Sequence, residues 1–216
     1  MSINTILSAV STDAVFLWTA AVVYALAAGS IMEHIRRHKL SILTSFPIYF
    51  VTVSFYFVLA GVQQYIDVPA LTVAMLVIMT FGAITLLSFP FQLENPKYSK
   101  VIYSVLFTAA LGSVLYSFVM NGSAQASQIT MIIAMSSTII VALYMLAAAI
   151  HSPKIRSKST SLAVLLIFNS AIFGAHVFFQ RITFPVFGTV VGLPFVSALI
   201  SIMSLIFALY LNKYIR

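Results

Sequence analysis

The feature that most constrains this chain is how seldom a charge interrupts it. Positions 14–32, 40–66 and 68–93 carry no charged residue, and none falls between Val101 and Pro153, where only the polar run "NGSAQASQ" (121–128) breaks the apolar sequence. Stretches 159–180 and 182–212 are uncharged as well. A helix rises about 1.5 Å per residue and needs about 20 apolar residues to cross the hydrocarbon core. The runs are continuously apolar rather than alternating, which argues against a membrane β-barrel. An all-α polytopic membrane protein follows: a single domain, 1–216, with seven helices near 13–33, 41–64, 69–91, 100–120, 128–150, 159–181 and 188–212.

Composition supports this. Only 7% of residues are charged and 62% are hydrophobic, whereas a soluble domain carries about a quarter charged residues. The net charge of +7 is no sign of nucleic acid, because the cations sit between apolar runs and act as topological markers. Ten of the eleven basic residues (Arg36, Arg37, Lys39, Lys97, Lys100, Lys154, Arg156, Lys158, Lys213 and Arg216) fall on one side of the seven-span topology. Arg181 falls on the other side, with Asp13 and Asp67. The positive-inside rule then sets the amino terminus outside and the carboxy terminus inside. The start, "MSINTILSAVSTD", has no basic region of the kind that opens a cleaved signal peptide, so the first span is read as retained. The expected location is an integral one, in the cell membrane, with the lipid bilayer as the main partner.

The stretch 143–161, "LYMLAAAIHSPKIRSKSTS", echoes 23–41, "VYALAAGSIMEHIRRHKLS", at an offset of 120 residues and with seven identities. Both are the inner end of an outside-to-inside helix followed by a basic turn. This admits a 3+1+3 pseudo-repeat, with helix 4 as the inverting linker. The competing reading is that both segments must be apolar and then basic, and the identity does not continue over 42–64.

Chemistry has few places to sit. Without cysteine there is no thiolate nucleophile and no thiolate metal site, and no carboxylate lies in the middle of a span, where a proton-coupled carrier commonly holds one. The templates of soluble enzymes (G-x-S-x-G, H-E-x-x-H, the P-loop and the dinucleotide fingerprint) are absent. Two polar stripes remain. Asn169, His176 and Gln180 share one face of helix 6, and Tyr49, Thr52 and Tyr56 share one face of helix 2, with Gln63 beyond them. They are the candidate lining of a cavity for a small polar solute or a chromophore, or else they are hydrogen-bonding groups between helices. Arg181, closing helix 6, is a candidate gate or a snorkelling side chain. His34 and His151 leave a haem open, if they meet across it. The small-residue stripes Ala21, Ala25, Gly29 and Ser197, Ser201, Ser204, Ala208 read as close-packing faces. Pro47 and Pro194 are expected to kink helices 2 and 7.

Seven short helices with the amino terminus outside resemble the SWEET sugar transporters in 3+1+3 plan. "WTAA", "SILTSFPIYFVTVSFYFVLAG", "YID" with "LTV", and "PFVSALISIMSLIF" are similar to segments of the microbial rhodopsins. That second resemblance implies a retinal-binding scaffold, but Leu199 stands where the family's retinal lysine belongs, and no lysine lies within any span. Covalent retinal is therefore not expected. Three readings stay open: a transporter or facilitator of a small molecule, an opsin-like ligand-binding or sensory protein, and an accessory subunit of a larger membrane complex or a homo-oligomer.

Overall fold

The computed structural model describes residues 11–66, 68–178, 184–186 and 189–214, with side-chain surroundings outside 41–42, 172–173, 175–191, 193 and 211–214. Among these residues there are seven α-helices: α1 (Thr12–His38), α2 (Ser45–Gln63), α3 (Pro69–Glu94), α4 (Ser99–Asn121), α5 (Ser123–His151), α6 (Arg156–Phe178) and α7 (Leu193–Tyr214). The helices α1 to α5 are long and apolar enough to cross a membrane, and α7 adds a shorter apolar segment, Pro194–Tyr210. These apolar helices suit an integral membrane protein.

The helix ends explain themselves locally. Ser11 caps α1 by accepting from the Ala14 N–H at 3.1 Å, Asp13 occupies the first turn, and Arg36, Arg37 and His38 occupy the last. Both charge placements favour the helix dipole. The Glu33–Arg37 ion pair, one turn apart, lies in the same stretch, so α1 runs five residues past the expected end at 33. Likewise α5 starts at Ser123 rather than 128. Gly122 alone takes the break, at φ 85° and ψ 177°, a region open essentially to glycine. The alanines and glutamines after it are good helix formers.

Two expectations need correcting. Pro47 and Pro194 each lie within the first turn of their helices, α2 and α7. At Pro194 the missing N–H has no intrahelical partner to lose, so it is not placed to kink, whereas Pro47 falls where the 3-10 turn Ser41–Thr44 runs into α2. The interior proline is Pro90 of α3. The seventh helix starts at Leu193, not 188, because Phe184–Val186 and Thr189–Val191 form a short antiparallel hairpin pairing Phe184 with Val191 and Val186 with Thr189. Pro185 and the β-branched run Thr189, Val190, Val191 favour that conformation over a helix.

The helices close a ring in the order α1–α2–α3–α5–α6–α7, with α7 returning to α1, while α4 packs outside against α3 and α5. Side chains from the ring fill its centre. Tyr24 stacks on Phe57 (5.7 Å, 7°) and tilts against Phe50 (5.8 Å), and Phe46 meets Phe89 edge-on at 5.0 Å. Association within a bilayer rests on such packing and on interhelical hydrogen bonds, since lipid is as apolar as leucine. Two glycines let helices approach closely: Gly61 of α2 lies against the Trp18 indole of α1, and Gly82 of α3 against Thr52 of α2. The Trp18 Nε1–H also donates to the Val58 carbonyl at 3.3 Å.

The echo does not become an equivalent pair of structures. Arg36 sits in the last turn of α1, whereas its counterpart Arg156 opens α6, after the break at Ser152 and Pro153. Ala27 is buried and its counterpart Ala147 is exposed. The shared order of apolar and then basic residues is what the two stretches keep.

Candidate functional site

Each helix of the ring turns at least one polar side chain inward, and four of these line up. Tyr24 (α1), Tyr49 (α2), Asn169 (α6) and Ser204 (α7) are all fully buried. Asn169 donates from Nδ2 to the Leu165 carbonyl at 2.8 Å and, more weakly, to the Ser204 hydroxyl at 3.4 Å. Ser204 approaches the Tyr24 hydroxyl without closing a hydrogen bond of normal geometry, and Tyr24 and Tyr49 both pack on the Phe50 ring, at 5.8 and 5.5 Å. The result is a string, Tyr49–Tyr24–Ser204–Asn169, running across four helices.

The string is under-satisfied. The Tyr24 and Tyr49 hydroxyls and the Asn169 Oδ1 are buried with no hydrogen-bond partner. Burying a polar group unpaired costs about 1–3 kcal/mol, and more where no water can reach it. Phenols, a serine hydroxyl and an amide hold no charge at neutral pH and offer both donors and acceptors. They suit hydrogen bonding to an uncharged polar molecule.

The two sequence stripes are brought together only in part. Tyr49 and Asn169 are both buried in the ring, and Asn169 reaches Ser204 of α7. Thr52 turns elsewhere, donating to its own helix at the Tyr49 carbonyl (2.7 Å) and packing on Gly82. Tyr56 is buried beside Phe57 in an edge-on contact at 5.4 Å. Gln63 donates from Nε2 to the Thr72 hydroxyl at 2.9 Å, joining α2 to α3. The side chain of His176 lies outside the described residues, as do Gln180 and Arg181 altogether. Sequence reasoning missed Tyr24 and took Ser204 for packing. The available signal was the serine recurrence Ser197, Ser201, Ser204 on one face of α7, where all three are buried.

The residues do not fit a haem held between His34 and His151. His34 is buried in α1 with its ring 4.5 Å from that of His38, one turn on, while His151 is exposed at the end of α5, which is not a ring neighbour of α1. Leu199 is 52% exposed, so the position aligned with a retinal lysine faces out of the bundle.

No family model matches the chain, no curated protein matches its sequence, and no solved structure matches its fold.

Proposed function

We propose that the protein is a facilitator or transporter for a small uncharged polar solute in the cell membrane. In this reading it crosses the bilayer seven times, with the amino terminus outside and the carboxy terminus inside. The observation that carries the reading is the string Tyr49–Tyr24–Ser204–Asn169, with three buried polar atoms that lack partners. A bundle that needed only packing would gain by placing phenylalanine and leucine there. Because side chains fill the ring's centre, a guest reaches these unpaired donors and acceptors only when the helices part, and the absence of a mid-span carboxylate favours a neutral one. His176, Gln180 and Arg181 belong to the proposal from the sequence alone, since their side chains lie outside the described residues.

The test is osmotic. The purified full chain is reconstituted in liposomes, and swelling in glycerol, ribose and glucose is followed by light scattering. Flux above empty liposomes is expected for at least one solute. Tyr24→Phe and Asn169→Leu should each lower it about fivefold or more, the equivalent of one hydrogen bond, with helical circular dichroism unchanged. No flux for any of the three, or full flux in both variants, contradicts the proposal.

A second reading, a subunit of a homo-oligomer or larger complex, draws on a different observation. Helix α4 buries only Val114 and Ser117 and turns Thr108, Ala109, Gly112 and Ser113 outward. Small residues on an outer face suit close approach of another helix. Cross-linking through Gly112→Cys, in a chain that otherwise has no cysteine, yields a dimer on this reading and monomer without it.

A further inference from the structure

The outer surface between α1, α2, α3 and α4 carries two cavities that share a wall. The first is an open groove of about 830 Å³, lined by Ala25, Gly29, Val51, Phe55, Phe81 and Phe107 among others, and apolar almost throughout. Its α1 wall runs from Ala25 to Met32 and its α2 wall from Pro47 to Phe55. The second, of about 680 Å³, lies between the end of α3 and the start of α4, with Thr85, Ser88, Gln92, Lys100 and Tyr103 in its walls. Phe81 belongs to both. The rings of Tyr103 and Phe107 stack at 6.0 Å and 2°, so one pair of aromatics spans the junction.

Along α3 the residues Val77, Phe81, Thr85, Ser88 and Gln92 recur at helical spacing on one face. That face changes from apolar to polar over roughly three turns, the amphipathic profile of a lipid and not of a soluble ligand. The polar end is equipped for an anion. Lys100 supplies a cation, the Thr85 hydroxyl is buried without a partner, and Gln92, which donates one hydrogen to Ser88 at 2.9 Å, keeps a second N–H. The acid of the same turn is directed to α5, where Glu94 accepts from the Tyr144 hydroxyl at 2.8 Å. At the apolar end Phe55 is 57% exposed and Phe81 40%, so in a membrane the groove opens on acyl chains.

We propose that this face is a binding site for one anionic phospholipid. Its phosphate is held by Lys100, Gln92 and Thr85, and an acyl chain lies past Phe81 in the groove against Ala25, Gly29 and Phe55. The site is independent of the central polar string and stands or falls without the carrier reading.

The full chain is purified from bilayers of equal phosphatidylglycerol and phosphatidylcholine, and the retained lipids are counted by native mass spectrometry. Phosphatidylglycerol should be retained about tenfold over phosphatidylcholine, whose phosphate is equally charged but whose choline cation would lie against Lys100. Lys100→Gln should abolish that preference, and Thr85→Val, nearly isosteric, should weaken it. Lys154→Gln, at the same end of the bundle but outside both cavities, should leave it intact. Val51→Trp, which fills the groove, should release the bound lipid while helical circular dichroism is retained. Three results overturn the proposal: no preference in the parent chain; equal loss in Lys154→Gln, which marks general surface charge; or displacement of the lipid by millimolar inorganic phosphate, which marks an anion site that reads no acyl chain. If Lys100→Gln fails to fold, Thr85→Val and Val51→Trp decide alone, and wild-type retention in both contradicts the site.

Discussion

Gly61 and Gly82 set how closely α2 approaches its two neighbours, and a methyl group at either would overlap a side chain with little room to give: the Trp18 indole in one case, the β-branched Thr52 in the other. Overpacking of this kind costs about 1–3 kcal/mol, so Gly82→Ala should lower the midpoint of thermal unfolding in detergent. Gly29→Ala is the contrast, since nothing lies within 4 Å of the added carbon and alanine is the better helix former by about 1 kcal/mol. Its midpoint should hold or rise, and a fall equal to that of Gly82→Ala would contradict this packing account. Among residues, Tyr49 and Asn169 were legible because a polar group in an apolar run is conspicuous. Tyr24 was not: between Val23 and Ala25 a tyrosine reads as one more aromatic, and only the closure of α7 against α1 brings Ser204 to it. Thr52 lines the outer groove and not the central polar set, for a related reason. Its spacing from Tyr49 is right for a shared face, but a short side chain bonded to its own backbone does not reach where a phenol does.

At the scale of elements, the existence of all seven helices was legible, because an uncharged run of about 20 residues admits few alternatives. Their ends were less so, since charge marks where an apolar run stops and not where hydrogen bonding stops. The basic end of α1 stays helical to His38, while the similarly composed end of α5 breaks at Ser152, before Pro153. A proline explains that difference, and with it the different fates of Arg36 and Arg156. Gly122 carries the break in the middle of the uncharged run from Val101 to Pro153. Substitution by alanine forces an L-residue into a strained conformation at about 1–3 kcal/mol, and escape from that strain is a continuous α4–α5 helix. Gly122→Ala should therefore reduce stability or shift the protein to larger species on size exclusion. An unchanged midpoint and elution would show that the turn does not depend on glycine.

At the scale of the whole molecule, the contacts sort the turns into two ends. The Ser11 N–H donates to the Tyr65 hydroxyl at 2.7 Å and Phe16 meets Phe195 at 5.3 Å, which gathers the start of α1, the end of α2 and the start of α7. At the other end Glu94 meets Tyr144, and Lys158 lies near His34. The charge pattern groups the same turns, and the proposal that the cation-bearing end faces the cytoplasm rests on that pattern. The ring order and the exclusion of α4 were not legible, as they depend on which apolar faces fit and not on how apolar they are. The absence of cysteine makes the membrane orientation directly measurable. Thr12→Cys, Gln125→Cys, Lys97→Cys and Lys154→Cys are made singly, and intact cells are treated with a maleimide that cannot cross the membrane. The account predicts labelling at positions 12 and 125 alone, with 97 and 154 reacting only after the cells are opened. Labelling of 97 or 154 in intact cells, or of 12 only in opened ones, would contradict it.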